Sequence, residues 1–173
     1  MSPPLIVTAT LPPDLYSWAT QLRSEHYPAE RNFLKAHVTL FHALPPFVES
    51  EAREVLARLA AHTPPVPARL ERVMNLGGGT ALSLSSPALL DLRDEIAERF
   101  TGLLTEQDSH APRLHITVQN KVTNAEAKAL QQWLAARMEP QAFTFRGLEL
   151  HRYLGGPWEA LGKWPFRGHG TGR

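Results

Sequence analysis

The 173-residue sequence contains no cysteine, and this absence removes several classes of site at once. Without thiols the chain has no disulfide framework, no thiolate metal site and no cysteine nucleophile. It also lacks a run of 18 apolar residues, which a membrane-spanning helix requires. The N-terminal residues have neither the basic segment nor the apolar length of a signal peptide. We therefore expect a cytoplasmic protein that does not contact a membrane.

The sequence also lacks an excess of charge of either sign. Eighteen Lys and Arg residues face 17 Asp and Glu residues, which gives a formal net charge of +1. Such a balance argues against an extensive nonspecific grip on a nucleic-acid backbone, although it permits a small phosphate site. Hydrophobic residues make up 43% of the chain. This is enough for the core of one domain, or of two small lobes that share a core.

A four-residue pattern occurs twice in this sequence. Residues 37–40 read His-Val-Thr-Leu, and residues 115–118 read His-Ile-Thr-Val. From composition alone, a histidine has roughly a 5% chance of being followed by Ser or Thr at +2 and by an apolar residue at +3. The chain has eight histidines, so fewer than one such match is expected by chance. One match would be weak evidence and two are suggestive, so the spacing of the two matches decides their interpretation.

The spacing of the two patterns recurs elsewhere in the chain. They are 78 residues apart, and so are the Leu-Gly-Gly segments at 76–78 and 154–156. Each pattern is thus followed by a similar length of chain and a glycine turn. We predict an α+β fold with two lobes, each a duplicated β-α-β-α-β-hairpin half whose second strand holds the His-x-Thr (HxT) motif. A pseudo-twofold axis would relate the halves around a central cleft.

Local patterns predict the elements of each half. Ser86-Pro87 is a helix start, with a polar N-cap followed by proline, and Thr123-x-x-Glu126 is a capping box. Further helices are expected from Pro13 and after Ser50. Strands are predicted at 5–10, 36–42, 66–75, 80–85, 142–153 and 158–164, and around the second motif. The domain is predicted over 1–166, with HxT repeats near 37–84 and 115–164, and a flexible tail over 167–173.

Alternation along a strand fixes which motif side chains share a face. His37 and Thr39 point to one side of the strand, as do His115 and Thr117, while the intervening apolar residues face the core. A pseudo-twofold axis would bring the two His/Thr faces together across a cleft. One imidazole could then take a proton from water while the other gives a proton to a departing oxygen. The hydroxyls would hold the phosphate oxygens, and no metal or other cofactor is needed.

The paired motif, within residues 36–44 (AHVTLFHAL) and 114–121 (LHITVQNK), resembles the 2H phosphoesterase superfamily. More narrowly, it is similar to the 2′-5′ RNA ligase and cyclic-phosphodiesterase branch. The resemblance implies that His37 and His115 are catalytic and that Thr39 and Thr117 bind phosphate. It implies opening of 2′,3′-cyclic phosphates on RNA ends or nucleotides, with reversible 2′-5′ ligation in some members. It also favours His115 as the base and His37 as the acid.

Further residues are candidates for substrate binding because they share the predicted faces of the motif histidines. Many relatives have an arginine shortly after the second motif, where this chain has Gln119-Asn120-Lys121. Lys121 has the strand parity to replace that arginine. Tyr153 flanks the second Gly-Gly turn, where it could stack on the substrate. The full set of candidates comprises Lys35, Phe41, Arg113, Gln119, Lys121 and Tyr153.

Three functions are compatible with these residues. The first is a monomeric, metal-independent phosphodiesterase whose partner is RNA or a nucleotide with a 2′,3′-cyclic phosphate. The second is a non-catalytic nucleotide- or RNA-binding module of the same fold, although binding alone does not require both an acid and a base. The third is a zinc hydrolase, which is disfavoured because two strand histidines have no evident third ligand.

Overall fold

The computed structural model describes residues 2–169 and has the predicted α+β architecture. Its helices are α1 (Pro13–His26), α2 (Glu49–His62), α3 (Pro87–Arg99) and α4 (Asn124–Ala135). Its strands are β1 (Leu5–Thr10), β2 (Val38–Leu44), β3 (Val66–Asn75), β4 (Thr80–Ser85), β5 (His115–Gln119), β6 (Gln141–Phe145), β7 (Gly147–Tyr153) and β8 (Trp158–Pro165). No helix within residues 2–169 has the length and apolar character needed to cross a membrane.

The strands form two four-stranded antiparallel sheets of matching order. The first sheet runs β2-β1-β7-β8, and the second runs β5-β4-β3-β6. The two motif strands, β2 and β5, therefore occupy equivalent edges, each beside the first strand of its own half. The third strand of each sheet, β7 or β3, comes from the other half of the chain. The predicted duplication is confirmed, and the halves exchange strands.

Both glycine turns have the same local geometry. The amide of Leu76 donates to the carbonyl of Gly79 (3.0 Å) between β3 and β4, and that of Leu154 donates to Pro157 (2.9 Å) between β7 and β8. Gly77 and Gly155 have φ values of +88° and +93°, a left-handed conformation that favours glycine. The offset of 78 residues therefore extends to the backbone conformation of the hairpins.

The predicted strand at 142–153 is wrong in one respect, because it is two strands in different sheets. The chain leaves β6 in the second sheet at Phe145 and enters β7 in the first sheet at Gly147. A side chain at Gly147 would lie 2.5 Å from the carbonyl oxygen of Trp164 in β8. Glycine therefore allows the close strand contact at which the chain changes sheets.

The predicted helix starts are confirmed. The Ser86 hydroxyl accepts a hydrogen bond from the amide of Leu89 at the start of α3, and Thr123 accepts one from Glu126 at the start of α4, both at 3.1 Å. Each bond satisfies an amide that the first turn of a helix leaves free. Helix α2 packs on β7 and β8, while α3 and α4 pack on β3 of the second sheet.

One hydrophobic core joins the halves. The apolar residues that alternate with the motif side chains, Val38 and Ile116, are fully buried in the same cluster. The predicted flexible tail begins with ordered backbone, since Arg167 donates to the Ala60 carbonyl and Gly168 to that of Thr63. The rest of the predicted tail, from residue 170, lies outside the described residues.

Candidate functional site

Each motif histidine is anchored through the same ring nitrogen. Nδ1 of His37 lies 2.8 Å from the carbonyl oxygen of Lys35, and Nδ1 of His115 lies 2.6 Å from that of Arg113. A carbonyl oxygen only accepts hydrogen bonds, so in both rings Nδ1 carries the proton and donates it. Nε2 of each ring is left to accept or give a proton. The two imidazoles are therefore oriented alike, as an exchangeable acid–base pair requires.

The motif side chains lie on the face that alternation predicts. His37, Thr39, His115 and Thr117 are partly exposed, whereas the residues between them are buried. Thr39 pairs across the first sheet with Thr8, and His115 pairs across the second sheet with Ser83. Each motif thus has one small polar side chain opposite it on the neighbouring strand.

The motif residues line two cavities, and Thr117 lines neither of them. Thr39 from the first motif and His115 from the second line the same cavity of about 280 Å³, together with Arg113. His37 lines a larger cavity of about 460 Å³, and Lys35 forms part of its wall. Lys35 and Arg113 are both exposed. The structure therefore brings these two predicted cations to the motif histidines.

Both motif strands carry a β-bulge at the fourth motif position. Two consecutive residues of β1 pair with Thr39 and Phe41 of β2, so Leu40 between them has no partner in β1. Val118 in β5 likewise has no partner in β4. A bulge of this kind shifts the alternation of the residues that follow it. Phe41 and Gln119 therefore do not share the face of the motif histidines, and neither keeps the position of a possible substrate contact. Phe41 is fully buried, and Gln119 is buried with its side-chain oxygen accepting from the Thr80 hydroxyl at 2.8 Å.

Two other candidates lie outside both cavities. The strand parity assumed for Lys121 is wrong, because β5 ends at Gln119 and Lys121 has a left-handed φ of +61°. Tyr153, 40% exposed, pairs with Trp158 at the end of β7. Neither Lys121 nor Tyr153 lines the cavity beside His37 or the one beside His115.

The larger cavity combines aromatic and polar walls. It extends from His37 over the polar face of β1, β7 and β8 and is closed on the other side by the start of α1 and the segment before β2. Its aromatic side chains are Tyr16, Phe33 and Trp158, and its polar and charged ones include Thr8, Thr10, Glu149, His151 and Lys163. Such a mixture is typical of sites that bind small organic ligands.

A third histidine stands beside the first motif. The His151 and His37 rings both pack against Trp158, with centroid distances of 5.1 and 4.6 Å to the indole. Nε2 of His151 is hydrogen-bonded to the Thr8 hydroxyl at 3.0 Å, and Glu149 lies 3.9 Å from the same nitrogen. The sequence analysis did not place Thr8, Glu149 or His151 at the site. The alternation Glu149-x-His151 was a visible signal, but nothing local connected β7 to the first motif.

Burial of the imidazole, which packs against Trp158, changes the acidity of His37. It lowers the pKa of His37 from 6.5 to about 4, against the hydrogen bond to Lys35, which raises it. The positive charges of Arg23, His151 and His115 lower this pKa further. Burial also lowers the pKa of His151, opposed by Glu149. His37 is consequently neutral at neutral pH, the state in which an imidazole accepts a proton.

Comparison with solved structures supports the same fold. TT0787 of Thermus thermophilus is 19% identical with a TM-score of 0.66, and the match covers 96% of this chain and 100% of that one. E. coli LigT complexed with 3′-AMP is 15% identical with a TM-score of 0.63, covering 96% and 99% of the two chains. A third structure, described as a phosphoesterase, is 18% identical with a TM-score of 0.58, covering 96% and 99%.

The sequence itself matches a family model over most of its length. None of the curated proteins matches the chain. The model of the 2′-5′ RNA ligase superfamily, however, aligns with residues 11–157, a range that includes both HxT motifs and the second glycine turn. The chain therefore belongs to the 2′-5′ RNA ligase superfamily of 2H phosphoesterases.

Proposed function

We propose that this protein opens 2′,3′-cyclic phosphates on RNA ends or nucleotides, with His37 and His115 as the acid–base pair. The observation that carries the proposal is the matched anchoring of the two imidazoles. Each donates through Nδ1 to the carbonyl two residues upstream, so Nε2 of each ring is the nitrogen left for proton transfer.

The reaction requires two proton transfers at one phosphorus atom. A neutral imidazole takes a proton from water, whose oxygen forms a bond to phosphorus. The bond between phosphorus and one ribose oxygen breaks, and the second imidazole, protonated, gives its proton to that oxygen. Thr39 and Thr117 donate hydrogen bonds to the non-bridging oxygens as charge develops there. The product is a ribose phosphate monoester, and the two imidazoles have exchanged protonation states.

The surroundings of the two histidines favour one of them as the base and the other as the acid. His37, covered by Trp158 and close to three other positive or protonatable groups, holds its neutral form down to about pH 4. We therefore assign His37 as the base and His115 as the acid. This is the reverse of the order that family resemblance favours, and it follows from the residues around His37 in this chain.

The larger cavity supports a nucleoside as the group next to the phosphate. Its aromatic walls offer stacking surfaces for a base, and Lys35 and Lys163 can attract the phosphate. E. coli LigT has been solved in complexes with 3′-AMP, NADP+ and ATP. We propose that this chain likewise accepts nucleotides and RNA ends, as a monomer in the cytoplasm.

Ligation would use the same groups. If the 5′-hydroxyl of an RNA takes the place of water, the imidazole base removes its proton and the attack on the cyclic phosphate forms a 2′-5′ bond. The acid then protonates the 3′-oxygen that leaves. This second activity is proposed because the chain matches the 2′-5′ RNA ligase model over both motifs.

The decisive experiment is turnover of a panel of 2′,3′-cyclic nucleotides and RNA ends. Product identification would show which ribose oxygen leaves, and a 5′-hydroxyl RNA would reveal ligation. We expect His37→Ala and His115→Ala to lose about 10²–10⁴ in rate. His62→Ala is the matched control, because His62 is exposed and also bonds a carbonyl through Nδ1, that of Arg58 at 2.9 Å.

The alternatives predict different results. A binding module would bind the cyclic compounds without turning them over, and a zinc hydrolase would lose activity in excess EDTA. We expect turnover that EDTA does not reduce. Equal activity in the His37→Ala, His115→Ala and His62→Ala variants would refute the two-histidine mechanism.

A further inference from the structure

Two buried arginines each connect the halves of the molecule. Arg23 in α1 and Arg93 in α3 are both only 3% exposed, although arginine is almost never fully buried without a partner. Within residues 2–169, no carboxylate oxygen lies within 4 Å of either guanidinium. Their hydrogen bonds go instead to backbone carbonyls and one asparagine. Such an arrangement calls for a reason other than ion pairing.

Arg23 joins the segment before the first motif to the strand of the second. Its Nε donates to the carbonyl of Leu34 (3.0 Å), three residues before His37, and to Oδ1 of Asn32 (3.2 Å). Its Nη1 donates to the carbonyl of Thr117 (2.8 Å) in β5. One side chain thus fixes the approach to His37 relative to a phosphate-binding residue of the other half.

Arg93 makes the reciprocal connection. Its Nη2 donates to the carbonyl of Asp108 (2.6 Å), in the loop before the second motif, and its Nε donates to the carbonyl of Leu40 (2.9 Å) in β2. The Asp108 carboxylate in turn accepts from the amides of His42 and Ala43, both at 2.8 Å. Each arginine therefore bonds the segment that leads into one motif and the strand of the other motif.

The two strand carbonyls lie at or next to the bulges of edge strands, where the sheet supplies fewer hydrogen-bond donors. Leu40 is the skipped residue of β2, and Thr117 directly precedes the skipped Val118 of β5. A bulge interrupts the ladder of hydrogen bonds, and a buried carbonyl left without a donor is costly. Each guanidinium also stacks on an aromatic ring, Tyr27 at 4.3 Å for Arg23 and Phe41 at 4.2 Å for Arg93. Both sites thus combine a stacked guanidinium with a strand carbonyl at or next to a bulge.

We infer that Arg23 and Arg93 are positioning residues that hold the two HxT strands at the separation and orientation needed to act on one phosphate. This inference rests on the proposed function for its effect on turnover. Arg23 lines neither the cavity beside His37 nor the one beside His115, whereas Arg93 lines the smaller cavity together with Thr39 and His115. They act through the backbone of Leu40 and Thr117, which neighbours the groups that would contact substrate.

Lysine substitutions test whether Arg23 and Arg93 act by bonding two chain segments or only through their positive charge. Arg23→Lys and Arg93→Lys keep the positive charge, but a single nitrogen cannot bond two chain segments in the geometry of the guanidinium fork. We expect each to lower kcat by about tenfold to a hundredfold with a much smaller change in KM, because displacements of about 1 Å have effects of this size. Arg53→Lys is the matched control, since Arg53 donates to the Leu161 carbonyl (2.8 Å) and joins α2 to β8 away from both motifs.

Amide hydrogen exchange tests the bridges without any turnover. Arg23→Lys should accelerate exchange in β5 more than in β2, although Arg23 belongs to the half that contains β2. Arg93→Lys should do the reverse. Helix α1 itself packs on β5, so Arg93→Lys is the variant that separates the two roles. Helix α3 packs on β3, and a role confined to helix packing would therefore loosen the second sheet rather than β2. Measuring well below the Tm of each variant keeps the comparison to folded molecules.

The outcomes also distinguish this inference from the proposed function. If the parent protein opens no cyclic phosphate, the proposed function fails, whereas the exchange pattern still decides whether the arginines bridge the motifs. The positioning role is refuted if both lysine variants match Arg53→Lys within about twofold in kcat and if neither accelerates amide exchange in the motif strand of the other half. If one lysine variant does not fold, the other variant still tests the positioning role through the second arginine.

Discussion

Replacing Trp158 by alanine should raise the pKa of His37. The indole lies 4.6 Å from the imidazole and provides part of the burial that lowers this pKa to about 4. Removing the indole admits water to the ring, and hydration stabilises its charged form. The cations near His37 remain in the variant, so we expect the pKa to move toward 6.5 without reaching it.

The size of the effect on activity follows from the fraction of neutral imidazole. At pH 5.5, a histidine with a pKa of about 4 is about 97% neutral, whereas one with the ordinary value of 6.5 is about 9% neutral. Full recovery of the ordinary pKa would therefore reduce the active fraction of the base by about tenfold at this pH. Partial recovery gives a smaller loss in the same direction, and at pH 8 the difference disappears.

Two measurements test this reasoning. An NMR titration of the His37 ring gives its pKa directly, and the acidic limb of kcat/KM reports the same group in the free enzyme. Trp133→Ala is the control, because Trp133 is an exposed tryptophan on α4 whose neighbours are His26 and Arg137. If the His37 pKa in the unmodified protein lies near 6.5, or if Trp158→Ala leaves it unchanged, burial by Trp158 does not tune this histidine.

Three further predictions follow from the same structure. With an activated aryl phosphodiester, whose leaving group needs no proton, His115→Ala should recover most of its activity while His37→Ala does not. Recovery by His37→Ala instead would show that His37 is the acid and His115 the base. Unfolded His37 binds a proton below about pH 6.5, whereas the folded protein binds it only below about pH 4, so the free energy of unfolding should rise with pH between these values. In urea titrations, His37→Gln should lessen the loss of stability between pH 7 and pH 4 by on the order of 3 kcal/mol, and an unchanged loss would contradict the depressed pKa. Finally, Arg113→Glu should raise KM more than Arg58→Glu, because Arg113 lines the cavity of His115; equal effects would show that Arg113 does not attract the substrate.

Much of the fold could be predicted because it repeats. Two copies of a motif at a fixed offset indicated a duplicated chain, and Ser86 and Thr123 marked helix starts through local hydrogen bonds. The exchange of strands could not be predicted in the same way. Whether the segment after Phe145 continues in one sheet or crosses to the other depends on the close contact of Gly147 with β8, which involves residues distant in sequence.

The site was predictable as far as strict alternation holds. His37, Thr39 and their counterparts in β5 lie before the bulges, and their shared face is confirmed. Phe41 and Gln119 lie after the bulges, where alternation has shifted, so the strand face predicted for them is wrong. His151 was missed because strand pairing, rather than sequence distance, brings it to Trp158 and the first motif.

The exchanged strands have a consequence for how this molecule unfolds. β3 follows the first motif but lies in the sheet of the second, and the β7–β8 hairpin follows the second motif but lies in the sheet of the first. The arrangement is that of a domain-swapped dimer contained in a single chain. Neither half can melt without removing a strand from the other, so the two motifs gain and lose their structure in a single cooperative transition.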